Sequence, residues 1–426
     1  RTSFHEFTHV VHLGLSHNRC PRWITEGLAT WEEVARNPAW TRNMRRELLD
    51  AQANGDLIPV RELNRAFREP RILFCYDRGV LLCGMLVDAH GFPPMIRLLE
   101  AFDRGLDVDQ AFREVFRTTP EEVDRRFDEF VAAELAGLAL EPRWSADTRA
   151  RLSFGLGREP PDDGREEREQ WIDDVCTLAW AHWQAGQRVD AEQALRRLAL
   201  AGIEAPRAAF LQGEMALARG DHELAREHWE RGLAAGGEDY RVRMALGKLA
   251  MGERELERAL EHFEAAERAF PGFDQEELSA ELHLAQVHQL QGSEEETMRA
   301  RERWLAWNAG EFDLRIEVAR WHAEAGRAAE AARYYGEANE VDPFRRDLHA
   351  AWGRALAELG RWEEALREFD VALLVPPELD GAAGGPPSDS ERAELLGRGA
   401  RALFELGRRE EAGARASEAL ALDEAE

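Results

Sequence analysis

The chain has 426 residues, a net charge of −27 and 44% hydrophobic residues. That length accommodates two or three domains with sizeable cores. The acidic balance argues against nucleic acid as a partner, because phosphate binding needs a basic footprint, and no apolar run reaches the roughly 18 residues that would span a bilayer.

The first predicted element is a helix that carries Phe4-His5-Glu6-Phe7-Thr8-His9-Val10-Val11. Residues four apart share a helix face, so His5 and His9 present two imidazoles to one metal ion. Glu6 is offset by about 100° and stands beside the ion as a general base for a zinc-activated water. The apolar flanks Phe4, Phe7, Val10 and Val11 predict that this helix is buried, and buried His and Glu need partners that a metal supplies. A loop over residues 14–22 leads to a second helix, begun at Pro21 and reading Arg22-Trp23-Ile24-Thr25-Glu26-Gly27-Leu28-Ala29. Two antiparallel helices joined by a short loop bring Glu26 toward His5 and His9. Such a set leaves a fourth zinc position open.

Together, HExxH and Trp-x-x-Glu-Gly-Leu-Ala resemble the gluzincin peptidases, the thermolysin-like group. The resemblance implies Zn2+ as cofactor, His5, His9 and Glu26 as its ligands, Glu6 as catalytic base, and a peptide or protein as substrate. The metzincin pattern fails, because His12 and Leu15 stand where it needs Gly and a third His. His12 reads as a helix-flank or supporting residue and His17 as a loop residue. Glu32 and Glu33 read equally well as acceptors that orient the ligands and as a solvated face.

Next comes a helical stretch, Phe74-Cys75-Tyr76-Asp77-Arg78-Gly79-Val80 through His90-Gly91, with further helical pattern to about residue 131. It resembles the lobe that follows the third ligand in these peptidases, although His90 stands where Tyr is common. Tyr76 is the candidate phenol for stabilising an oxyanion; the alternative is a core tyrosine whose hydroxyl caps a helix. Asp77 and Arg78 read as a surface ion pair. Cys20, Cys75, Cys83 and Cys176 form no CxxC pair and read as buried thiols, leaving the redox compartment open. The family places a β-sheet ahead of the motif helix. A sequence that begins at Arg1, inside that helix, reads as a fragment or processed chain with only the metal-binding half of the peptidase domain, and its localisation is unknown.

Pro142, Pro160, Pro161 and the charged stretch 162–169 mark residues 136–170 as a linker. Beyond it the sequence repeats. Ala191, Ala225, Ala259, Thr297, Ala331, Ala365 and Ala412 mark equivalent small positions, mostly 34 residues apart, and each of Gly186, Gly220, Gly292, Gly326, Gly360 and Gly407 precedes one by five. Arg254 holds the glycine place in the third unit, and residues 381–387 form a loop insertion. The period, with Gly247, Phe263, Ala266, Gly353 and Phe369 at matching positions, resembles the tetratricopeptide repeat family. About seven helix pairs, joined by tight turns, would stack into a solenoid with a concave groove.

The sequence therefore predicts an all-α chain: a partial gluzincin-type metallopeptidase domain over residues 1–135, a linker over 136–170 and a tetratricopeptide α-α superhelix over 171–426. The predicted function is a zinc-dependent peptidase whose repeats bind substrate or a protein partner in the groove. The alternative is an inactive peptidase remnant in a repeat-based protein–protein interaction adaptor.

Overall fold

The structure, a computed structural model, describes residues 2–40, 43–68, 71–157, 159–161, 164–273, 275–380 and 386–423. Among these the regular elements are all helical, with 3-10 turns at Pro38–Trp40 and Glu276–Leu278. None of the helices is long and apolar enough to cross a membrane. The chain divides into two compact units, Arg1–Gln291 and Gly292–Glu426.

The first unit opens with α1 (Thr2–Leu15), α2 (Arg22–Arg36), α3 (Arg45–Ala53), α4 (Val60–Ala66), α5 (Ile72–His90), α6 (Pro93–Asp103), α7 (Val108–Val115) and α8 (Pro120–Glu134). Their shared core is built on Trp23, Ile24, Leu28, Cys75, Leu82, Cys83, Leu98, Phe112 and Phe127. The tightest approach in it is between α2 and α5. A Cβ at Gly27 would lie 2.6 Å from the Gly79 carbonyl oxygen, so only glycine lets these backbones meet. Two sequence expectations change here. Phe7, Val10 and Val11 are exposed, while Thr8 and His12 are the buried residues of α1; of the four apolar flanks only Phe4 is half-buried, under Arg36 of α2. Arg78 is not a surface residue paired with Asp77. It is 1% exposed, bonded to Asp124 at 2.9 Å and stacked over the Phe127 ring. All four cysteines are free, and three are buried.

The stretch read as a linker packs against its neighbours at both ends of its first half. It contains α9 (Ala146–Gly155), whose Ser145 cap accepts from the Thr148 N–H. Ala139 donates to the Ala269 carbonyl and accepts from the Tyr240 N–H at 2.8 and 2.7 Å. Arg46 reaches the Glu141 carbonyl, and Asn54 the Arg143 carbonyl. Residues 158, 162 and 163 lie outside the described residues.

Helix pairs follow: α10 (Arg165–Gln184) with α11 (Arg188–Leu200), α12 (Pro206–Leu217) with α13 (His222–Ala234), and α14 (Tyr240–Gly252) with α15 (Leu256–Ala269). Then α16 (Ala280–Leu290) closes the first unit. The second unit begins with α17 (Glu294–Leu305) and continues with α18 (Phe312–Glu324) and α19 (Ala328–Val341), α20 (Arg346–Glu358) and α21 (Trp362–Leu374), and α22 (Asp389–Glu405) and α23 (Arg409–Asp423). The equivalent small residues predicted from the period, Ala191 through Ala412, are all buried. The turn glycines have φ between 70° and 80°, and Arg254 takes φ 65° in their place. Within the pairs, an aromatic ring fills the space that a glycine leaves open: Trp229 at Gly213, Phe263 at Gly247 and Phe369 at Gly353. Most of the predicted insertion, 381–385, lies outside the described residues.

Candidate metal centre

The site forms where α1 and α2 face each other. His5 and His9 lie one turn apart on α1. The chain then reverses through His17 and Asn18, both in the left-handed region at φ 45° and 61°. The Asn18 N–H closes the end of α1 on the Leu13 carbonyl. Helix α2 returns with Glu26, 9% exposed, toward the two half-buried histidines.

The three predicted ligands converge. The His5 and His9 Nε2 atoms are 3.0 Å apart. Glu26 Oε2 is 3.4 Å from His5 Nε2 and 3.3 Å from His9 Nε2. For zinc bonds of about 2.0–2.1 Å in a tetrahedral arrangement, ligand atoms stand about 3.3–3.4 Å apart. The observed triangle matches two of those edges and is slightly short on the third. The outer ring nitrogens are engaged elsewhere: His9 Nδ1 with Thr25 Oγ1 at 2.8 Å and His5 Nδ1 with Glu33 Oε1 at 3.6 Å. Such partners fix ring orientation and leave Nε2 for a metal. The donor set therefore fits zinc.

Electrostatics at this corner favours a cation. The Glu26 carboxylate and then that of Glu33, both close to its ring nitrogens, push His5 up to about 9, against burial, which lowers it. Burial alone would raise the Glu26 carboxyl; its contacts with His5, His9 and Arg22 outweigh that and hold it below the usual range. Arg22 donates to Glu26 Oε1 at 3.2 Å and to the Tyr76 hydroxyl at 3.4 Å. Tyr76 packs edge-on against Phe67 and lines a cleft that also includes His5. Glu6 is exposed on α1.

The spare histidines stand apart from this triangle. His12 is buried, and burial followed by the nearby His9 lowers it to about 4. His17 is on the surface, 2.6 Å from Asp103 Oδ1. Of the two glutamates weighed together, Glu33 orients His5, whereas burial raises the Glu32 carboxyl. Sequence reasoning missed Thr25 and Arg22. Arg22, Glu26 and Glu33 do recur along one side of α2 at helical spacing, which is the signal that points to Arg22. Nothing in the spacing picks out Thr25.

The tetratricopeptide repeat family matches residues 176–236 and 216–272, inside the predicted repeat region. A comparison with curated proteins gives no match. Among solved structures, a crystal structure of MamA is similar at 12% identity and a TM-score of 0.28, over 42% of this chain and 95% of that one. YrrB, described as a TPR protein with an unusual peptide-binding site, is similar at 18% identity and a TM-score of 0.30, over 43% of this chain and 86% of that one.

Proposed function

We propose that α1, α2 and α5 form a zinc-dependent peptidase centre of gluzincin type, joined to a tetratricopeptide-type module that binds a protein or peptide. The repeat half rests on the family match over residues 176–272 and on the helix pairs, since stacked pairs of this kind offer binding surfaces. One observation carries the hydrolase half. Two imidazole nitrogens and one carboxylate oxygen meet within 3.0–3.4 Å, each imidazole oriented from behind.

His5, His9 and Glu26 would hold the ion. When bound, zinc supplies Lewis acidity toward a peptide carbonyl and toward water. The Glu6 carboxylate accepts a proton and returns it to the leaving amine nitrogen. Tyr76 and Arg22 donate hydrogen bonds to the developing oxyanion.

A second reading keeps the metal and drops the turnover, leaving an inactive remnant in a repeat-based adaptor. The exposure of Glu6, Phe7 and Val10 favours it, because among the described residues nothing walls substrate in on that side of α1. Metal analysis with casein cleavage, wild type against Glu6→Gln, separates the two. Stoichiometric zinc in both proteins, with cleavage only by the wild type, supports the peptidase. Zinc without cleavage in either supports the adaptor. Absence of zinc defeats the metal centre.

A further inference from the structure

Beside the metal centre runs a cleft of about 440 Å³. Helix α1 gives it His5, α2 gives Thr30 and Glu33, and α5 gives Leu73, Tyr76 and Asp77. Because His5 belongs to both the ligand triangle and the cleft wall, a chain held at the centre has a neighbouring side chain within reach of this space.

The wall chemistry is unusual for an apolar specificity pocket. Two of the lining residues are carboxylates, and among the described residues neither arginine nor lysine lines the cleft. Glu33 is already engaged with His5. Among the described residues Asp77 makes no hydrogen bond or ion pair: its chain neighbour Arg78 turns away into the core to meet Asp124. Burial, with the charge of Glu47 added, pushes the Asp77 carboxyl up to about 7. A carboxylate partly withdrawn from water gains from a cation brought against it, and α5 keeps one, half-exposed, at the wall of an open cleft. The volume suits a long side chain, with Leu73, Val34 and Val80 against its methylenes and a cationic head at Asp77.

We propose that this cleft is a substrate subsite for a basic side chain, arginine or lysine, with Asp77 as the specificity-determining residue. The inference rests on the peptidase reading for its role, but its chemistry is testable without turnover. The guanidinium or ammonium group would pair directly with the Asp77 carboxylate, in a partly desolvated setting where such pairs discriminate strongly.

The test measures equilibrium binding of two blocked pentapeptides to the full chain, zinc-loaded and zinc-free. One has arginine at its centre, the other norleucine, and both otherwise contain only alanine. The wild type is expected to bind the arginine peptide about tenfold more tightly, or about 1.4 kcal/mol, and Asp77→Asn to bring the two affinities together. Should Asp77→Asn fail to fold, Leu73→Trp serves: position 73 is 51% exposed at the rim, and the larger ring fills the cleft and removes the preference. Equal binding of both peptides by the wild type overturns the proposal, as does a preference that survives both substitutions. Selective binding with no cleavage of either peptide leaves the subsite standing and defeats the peptidase reading alone.

Discussion

Gly27→Ala tests whether the fold positions the metal centre through the contact between α2 and α5. In a helix interior, glycine to alanine gains about 0.5–1 kcal/mol from backbone entropy. Here the added methyl would stand 2.6 Å from the Gly79 oxygen, 2.7 Å from its carbonyl carbon and 2.9 Å from Cys83 Sγ. Ordinary contact begins at 3.4 Å, so the helices must part by most of an ångström. Two of the three obstructing atoms are backbone and cannot rotate aside. Overpacking of this kind costs about 1–3 kcal/mol, and the upper part of that range applies. The balance is a loss of about 1–2 kcal/mol in urea unfolding. Because Glu26 is the adjacent residue, moving α2 also spoils the triangle with His5 and His9. Zinc affinity, measured by competition with a chromophoric chelator, should fall about tenfold, as it does when ligand orientation is lost. Gly14→Ala on α1 meets nothing within 4 Å and should leave both readings unchanged or slightly improved. A Gly27→Ala protein as stable as the wild type, binding zinc as tightly, would refute the claim that this contact sets the site.

Thr25→Val keeps the shape of the side chain and removes the partner of His9 Nδ1; zinc affinity should drop about 10–100-fold with the urea midpoint unmoved. Arg254→Gly relieves the non-glycine residue at φ 65° where the other repeats have glycine, and should raise stability by about 0.5–1 kcal/mol, seen as a higher urea midpoint. Glu214 is pushed up to about 7 by burial, with the charge of Asp239 adding to it. Its folded-state value lies above the ordinary 4.5, so its contribution is fully present below that pH and is lost as pH rises through about 7. Glu214→Gln should therefore gain on the wild type in melting temperature from pH 5 to pH 8; a constant difference across that range would refute the assignment.

The repeats and the ligand triangle were legible for the same reason: both are written at short range. Glycine and aromatic stand sixteen residues apart in Gly213/Trp229, Gly247/Phe263 and Gly353/Phe369, and each pair meets inside one helix hairpin. His5 and His9 are a helical turn apart, and a short loop limits where Glu26 can go. What escaped depended on contacts that sequence separation does not encode. The exposure of Phe7 and Val10 follows from how α1 is rotated against α2. Arg78 is buried because Asp124 and Phe127 on α8 meet it. Residues 136–145 look like a linker because they have no period, yet Ala139 is held by Ala269 and Tyr240, more than a hundred residues away in the chain.

The same distinction explains why Asp77 was misread. Its charge next to Arg78 suggested a surface pair, but successive helical residues point about 100° apart. Once Phe127 and Asp124 draw Arg78 into the core, Asp77 must face elsewhere. With α2 locked onto α5 at Gly27 and Gly79, the direction it faces is the cleft beside His5. One glycine contact thus fixes the height of Glu26 at the candidate metal corner and the register of α5, and with that register the distance from the ligand triangle to the Asp77 carboxyl group. Altering the α2–α5 contact should therefore disturb zinc binding and peptide selectivity together, whereas Asp77→Asn should disturb selectivity alone.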